Sequence, residues 1–424
     1  MFLLADCNNF YVSCERVFNP SLRDRPVIIL SNNDGCAVAL SNEAKALGVP
    51  RGAPLFKWRD FLLKNNGVWL SSNYTLYGDM SRRVMDILSS FSEDCEVYSI
   101  DEAFLRIDIS DEKTIQKIAR ELIETVYKYT GIPLSVGSAN TKTLAKAANH
   151  YAKKTAKTGF ACITPANRES MLQQIPVSQI WGIGYRHDKL LKSHGVNNAL
   201  QFTKLCETWI KKRMSITGLR THKELNGTPC IDLQHVPPSR QSIVSSRSFG
   251  TPVSSFNLLN ESIHEYGYRA AARMRSMKLV CSSLSVYLCT NRFKDEPQYS
   301  NSASVSLEYP TNSSRTITYQ AEVILKAIYR SGYKYKKTGI MLHGLIENSE
   351  QQMSLFEKKD YMNRDEKLMS VMDSINRRYG SKSVILASEG ISRNWQMKRE
   401  FLTPSYTTRW SDIPLVKVES NKMF

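Results

Sequence analysis

The chain has 424 residues, with 57 Lys and Arg against 40 Asp and Glu, a formal charge of +17. That length predicts about two to four domains, and nine scattered cysteines without a C-x-x-C pair argue against a disulfide framework or a zinc site. No apolar run approaches the roughly 20 residues of a membrane span, and the N-terminal Met-Phe-Leu-Leu-Ala is too short for a signal segment, so a cytoplasmic protein with no membrane association is expected.

The charge is unevenly placed. Residues 1–165 hold 20 basic and 18 acidic residues, and the remaining 259 hold 37 and 22. A nearly neutral first part followed by a basic remainder suits a protein that grips a polyanion away from its chemistry.

The first predicted strand, Phe2-Leu3-Leu4-Ala5, ends on Asp6. Val97 to Ile100 is a second short run, ending on Asp101 and Glu102. Carboxylates at the ends of buried strands are costly unless a cation meets them. Three converging carboxylates would form an all-oxygen site of the kind Mg²⁺ takes with phosphate. Two such ions about 3.5–4 Å apart can clamp an in-line phosphoryl displacement. Polar turns that merely follow strands are the plain alternative. Asp101 and Glu102 are adjacent, so both can reach one site only if the strand bends there.

Further strands are predicted at Val27–Leu30 and Leu134–Gly137. Ile115, Ile118, Ala119, Leu122, Ile123 and Val126 recur at helical spacing, and Thr141–Lys154 reads as an Ala- and Lys-rich helix. The expected architecture for 1–165 is an α+β, ferredoxin-like sheet with helices on one face and an inserted subdomain at about 11–74. From 166 to 232 the helices shorten. Gly182 and Gly184, before a helix ending near His194, suggest a helix–hairpin–helix whose amides could take a DNA phosphate. A plain helical turn reads equally well there. A linker at His235–Arg240 leads to a basic α+β domain at 240–345, with 14 basic against 6 acidic residues. Strands are expected at 284–289, 303–307 and 338–342, and helices at 258–277 and 319–331. The tail, 346–424, is expected to be extended apart from a helix near 365–378.

Four runs, Asp6-Cys7-Asn8-Asn9-Phe10-Tyr11, Ser31–Cys36, Glu43–Val49 and Tyr98–Phe104, together resemble the Y-family translesion DNA polymerases, of the UmuC type. The likeness reaches the tail at Trp395–Arg399 and Tyr406–Arg409. It implies a right-hand polymerase: palm (1–165) with inserted fingers, helical thumb (166–232), C-terminal little finger (240–345) and tail (346–424). It implies error-prone, template-directed synthesis in the SOS response to DNA damage, with two Mg²⁺ ions. The family's ligands fall on Asp6, Asp101, Glu102 and the backbone carbonyl of Cys7. Tyr11 matches the steric gate beneath the incoming sugar, with Phe10 its mainly core neighbour at the dNTP site. Lys153 matches a lysine on the triphosphate. Asn42 and Lys45 stand where many relatives carry a Tyr and an Arg on the phosphates. Gln352-Met353-Ser354-Leu355-Phe356 resembles a sliding-clamp peptide. Template–primer DNA, dNTP, a sliding clamp, a cleaved UmuD-type accessory dimer and a RecA filament are the implied partners. A nucleotidyl cyclase built on the same palm, or a silent DNA-binding scaffold, are the alternatives. The first has no use for a basic domain, and the second has no need of three intact carboxylates.

Overall fold

The computed structural model describes residues 1–109, 111–154, 158–236, 239–350, 359–391 and 395–415, without the side chains of 350 and 359–363. The chain forms two compact units, Met1–Pro237 with Phe401–Phe424, and Pro238–Glu400. Among the described residues no helix is long and apolar enough to cross a membrane.

The first unit begins with β1 (Phe2–Cys7), α1 (Phe10–Phe18), β2 (Val27–Leu30), β3 (Ala37–Leu40), α2 (Asn42–Ala46), α3 (Leu55–Lys64) and β4 (Val68–Ser71). It continues with α4 (Tyr74–Ser89), β5 (Cys95–Val97), β6 (Glu102–Arg106), α5 (Glu112–Thr130), β7 (Leu134–Ala139), α6 (Lys142–Lys154) and β8 (Phe160–Cys162). Four helices follow: α7 (Arg168–Gln173), α8 (Tyr185–Ser193), α9 (Ala199–Thr203) and α10 (Glu207–Leu225), the last kinked at Ser215.

The main sheet has the order β5-β6-β1-β7-β8, and β2 to β4 form a separate small sheet in the order β3-β2-β4. In β1 the side chains alternate across the sheet. Leu3, Ala5 and Cys7 pack in one core with residues of α1, α4 and α5. Phe2 and Leu4 pack in another with α6 and the helices of 166–225. Helices therefore cover both faces, where the sequence predicts one. The second layer is legible only once the short helices after 165 are seen to share a core with α6. Helix α5 forms because Ile115, Ala119, Leu122 and Val126 make one buried stripe, with Asp111 capping its start through the Thr114 amide at 2.8 Å.

A buried glutamate ties the short helices to this sheet layer. The Glu224 carboxylate accepts from the Thr143 amide and hydroxyl, both at 2.9 Å, and from the amides of Cys230 (2.8 Å) and Ile231 (3.0 Å). Four donors satisfy a charge that would otherwise be expensive to bury.

The second unit is β9 (Ser242–Val253), α11 (Phe256–Ser276), β10 (Leu279–Thr290), β11 (Ser300–Thr311), α12 (Ser314–Ile328), β12 (Tyr335–Glu347) and α13 (Lys359–Tyr379). Its antiparallel sheet runs β11-β10-β12-β9. Leu284, Val286, Ile340 and Leu342 pack under α11 and α12. The opposite face carries Ser283, Ser285 and Tyr287, paired with Ser306, Ser304 and Ser302 on one side and His343, Met341 and Gly339 on the other. Strand β9 was not foreseen, because Ser-Ile-Val-Ser-Ser-Arg-Ser has too few apolar residues to read as a core strand. In the tail, α13 buries Met369 and Met372 against Tyr268, and Asp373 takes a two-point contact from Arg275 at 2.7 and 2.9 Å.

Candidate active site

The alternation that sends Phe2 and Leu4 toward α6 sends Asp6 there too. Antiparallel register places Glu102 directly opposite Asp6. Like charges facing across a strand pair repel, and this pair sits at the end of a buried sheet. Two lysines of α6 meet it. Lys153 Nζ is 2.6 Å from Asp6 Oδ1, and Lys146 Nζ is 3.0 Å from Glu102 Oε2. Burial first, and then the Glu102 carboxyl, push Asp6 up to about 7 even with Lys153 beside it. Burial also acts upward on Glu102, but hydrogen bonding with Asp6 and the nearby Lys146 outweigh it and leave Glu102 below the usual range. Lys146 in turn lies 4.4 Å from the Tyr98 ring centroid and 5.3 Å from that of Trp181. A cleft of about 230 Å³ opens over this group, lined by Asp6, Glu102, Lys146, His150, Lys153 and Trp181 among others.

Asp101 lies outside both strands, in the turn between β5 and β6. The Ser99 hydroxyl donates to its carboxylate at 2.6 Å, and the Asp101 carbonyl accepts the Cys7 amide at 2.9 Å. The amides of Tyr98 and Ser99 both donate to the Glu102 carbonyl at 3.0 Å. That turn supplies the bend which adjacent acids need. Cys7 itself is buried, and burial holds its thiol well above the ordinary value. The thiol is a packing group.

The donor set fits a hard divalent cation: buried carboxyl oxygens face each other, and the cations that meet them are the ammonium groups of Lys146 and Lys153. Among the described residues no three acid, thiol or imidazole side chains already stand as a metal cage. Asp6 and Glu102 are brought together, while the Asp101 carboxylate is turned onto Ser99.

Around this centre, Phe10 is a core residue and Tyr11 is half-buried, with its ring stacked on Tyr77 at 4.3 Å and 13°. Asn9, in the left-handed region at φ 48°, starts α1 and reaches the small sheet's side of the unit. Its Nδ2 donates to Asn42 Oδ1 at 3.0 Å, and Lys45 Nζ donates to its Oδ1. Burial first, and then Lys153 and Arg51, hold Lys45 below the usual lysine value. Several cations near one another, of which Lys153 lines the cleft, are what a polyanion relieves. Sequence reasoning missed Asn9, Lys146 and Trp181. The signal available for Asn9 was its place inside the Asp6–Tyr11 run; nothing local marks Lys146, one lysine of many on α6. Lys153, expected at a triphosphate, is found on Asp6. Gly182, at φ 86°, and Gly184, preceding α8, lie where Trp181 donates to the Tyr98 hydroxyl at 3.1 Å. Gln352 to Phe356 lie outside the described residues.

The impB/mucB/samB family matches residues 5–150, and that family's C-terminal domain matches 240–355. Residues 366–416 match a domain of unknown function, DUF4113. The chain is 41% identical over 422 residues to Protein UmuC of Salmonella typhimurium, covering 98% of this chain and 100% of that one. It is 27% identical over 401 residues to DNA polymerase IV 2 of Bacillus subtilis, covering 92% and 94%. Among solved structures it resembles a Y-family DNA polymerase chimera of Dbh and Dpo4 with a TM-score of 0.63 at 19% identity, covering 82% of this chain and 99% of that one.

Proposed function

The chain belongs to the impB/mucB/samB family of Y-family DNA polymerases, and from that membership we infer how its own residues carry out template-directed DNA synthesis past damaged bases. It is a DNA-directed DNA polymerase of the UmuC type, an enzyme of SOS translesion synthesis that binds template–primer DNA and a nucleotide. The observation that carries the site assignment is the facing pair Asp6 and Glu102 with a lysine on each.

In this reading Asp6, Asp101, Glu102 and the Cys7 carbonyl hold two Mg²⁺ ions. Bound there, the ions would supply a lowered pKa at the primer 3′-hydroxyl and charge neutralisation for the triphosphate and the leaving pyrophosphate. Lys153 leaves Asp6 for the triphosphate, and Asn42 and Lys45, both held on the Asn9 side chain, bond the same phosphates. Tyr11 lies under the sugar and excludes a ribose 2′-hydroxyl, with Phe10 fixing it from the core. Gly182 and Gly184 offer the start of α8 to a DNA phosphate. The hydroxyl-rich face of the second unit's sheet suits backbone contact without base readout. Residues 1–165, 166–232, 240–345 and 346–424 then act as palm with fingers, thumb, little finger and tail. No observation favours a cyclase or a silent scaffold.

The segment Gln352-Met353-Ser354-Leu355-Phe356 docks on a sliding clamp, and the remaining partners are a cleaved UmuD-type dimer and a RecA filament, in the cytoplasm. Primer extension with Mg²⁺ over an abasic template, with and without these proteins, tests the whole reading. Extension past the lesion is expected, and its failure with every partner present would overturn the reading. Leu355→Ala with Phe356→Ala should keep single-nucleotide insertion but lose the clamp's gain in product length, since each side chain contributes roughly 1.5–3 kcal/mol of burial.

Duplex affinity should fall by roughly 0.9 log units per log unit of salt for each phosphate neutralised. A fragment ending at residue 237 should retain little of that slope. Retention of the full slope would place the DNA grip outside the basic unit.

A further inference from the structure

The last described stretch of the chain packs in the first unit, against the elements that carry Tyr11. The Ser71 amide donates to the Phe401 carbonyl at 2.9 Å, and the Phe401 amide donates to Ser71 Oγ at 3.0 Å. The Phe401 ring stands edge-on to Trp69 at 6.0 Å, and Tyr406 stacks on Phe18 at 4.9 Å and 8°. Between these anchors, Asn73 Nδ2 donates to the Thr403 hydroxyl at 3.0 Å and to the carbonyls of Thr403 (3.2 Å) and Pro404 (3.1 Å). The same Asn73 caps α4 through the Leu76 amide at 3.2 Å.

Thr403 faces inward. Its hydroxyl donates to Glu15 Oε1 at 3.2 Å, and the Tyr77 hydroxyl donates to the same oxygen at 2.8 Å. Glu15 and Tyr77 are both buried, at 1% and 0% exposure. Glu15 lies four residues after Tyr11 on α1, hence on the same face of the helix. Tyr77 carries the Tyr11 ring on its own. Thr403, Glu15, Tyr77 and Tyr11 thus form one continuous line of contacts from the C-terminal segment to the half-buried ring at the nucleotide site.

We propose that residues 401–406 are a brace for Tyr11, with Thr403 a positioning residue that sets how strictly the site excludes ribonucleotides. This rests on the reading of Tyr11 as the sugar gate. It gives a role to the end of the segment that matches the domain of unknown function. A ring discriminates a 2′-hydroxyl only if it does not yield, and a parallel partner tethered by its hydroxyl to a buried carboxylate resists that displacement. Tyr77 and Thr403 both donate to the same carboxyl oxygen, so losing Thr403 removes one of the restraints that fix where the Tyr77 hydroxyl is held.

The test is single-nucleotide insertion of dNTP and rNTP by the full chain, comparing wild type with Thr403→Val, Thr403→Ser, Tyr11→Ala and the Val/Ala double variant. Valine keeps the shape and removes both the donor to Glu15 and the acceptor for Asn73 Nδ2, whose bonds to the Thr403 and Pro404 carbonyls remain. It should lower the dNTP/rNTP efficiency ratio about fivefold, within what loss of the hydroxyl's hydrogen bonds allows. The change should fall on the KM values more than on kcat. Serine keeps the donor and should behave as wild type. In the Tyr11→Ala background, valine should add nothing, which is the coupling that a contact line requires. Tyr406→Leu, which loosens the segment at another anchor, should shift the ratio the same way.

Other outcomes separate the failures. A collapsed ratio in Tyr11→Ala with an unchanged one in Thr403→Val overturns the brace and leaves the gate standing. An unchanged ratio in Tyr11→Ala sinks the gate, and the brace with it. Equal effects of valine in both backgrounds, or an effect of serine matching that of valine, would mean general loosening and also overturn it.

Discussion

Asp101→Asn and Glu102→Gln are each expected to cut nucleotide incorporation roughly a thousand-fold or more, while leaving duplex affinity nearly unchanged. Both carboxylates are proposed metal ligands, and an amide carries no charge to offset a divalent cation. The structure separates this loss from misfolding. Asn at 101 still offers an oxygen to the Ser99 hydroxyl, so the turn before β6 survives. Gln at 102 removes one of two carboxylates that face each other across β1 and β6. Relief of repulsion is opposed by loss of the ion pair with Lys146, to which the Gln amide oxygen can still accept, so the melting temperature should change little. Primer extension and thermal unfolding on the same preparations check both halves. Normal extension by either variant would remove that residue from the metal site.

The parts of this site legible in the sequence are those where composition breaks abruptly. Asp6 and Asp101-Glu102 stand out because each follows a short apolar run, and the structure puts Asp6 and Glu102 opposite one another. The lysines that meet them were less legible. Lys146 and Lys153 sit on a lysine-rich helix, and which of its lysines face inward depends on α6 lying against β1 and β7. Glu15 was invisible for a similar reason. An acid in a short amphipathic helix reads as a solvated position, and only the arrival of Tyr77 and Thr403 from distant parts of the chain accounts for its burial.

At the level of the fold, long periodic segments such as α5 and α11 were legible. Strand β9 and the 401–413 segment were not. One is serine-rich and the other lacks periodicity, so each takes its place from tertiary contacts and not from local pattern. The one-faced sheet expected from the sequence became a two-faced one because the helices after 165 are short individually and form a layer only together.

Gly137→Ala should be among the most damaging single changes in the chain, although it adds one methyl group and touches no proposed ligand. Gly137 lies in β7, next to the strand that carries Asp6, and α6 crosses directly over it. A Cβ there would stand 2.1 Å from the Asn149 amide nitrogen and 2.3 Å from the Ala145 carbonyl oxygen. Both obstacles are backbone, so no rotamer change relieves them; the helix must move. Moving it pulls Asn149 from the Ser135 carbonyl, to which it donates at 2.8 Å, and shifts Lys146 and Lys153 from their carboxylates. Overpacking a fitted core typically costs about 1–3 kcal/mol. A rigid helix backbone puts this case at or above the upper end, a large share of the roughly 5–15 kcal/mol that holds a domain folded. Gly184→Ala is the matched control, because a Cβ there meets nothing within 4 Å. Thermal unfolding and soluble yield should fall sharply for the first variant and little for the second. Equal melting temperatures would show that α6 can lift off β7 without cost, and that close approach at Gly137 does not set the position of the two lysines.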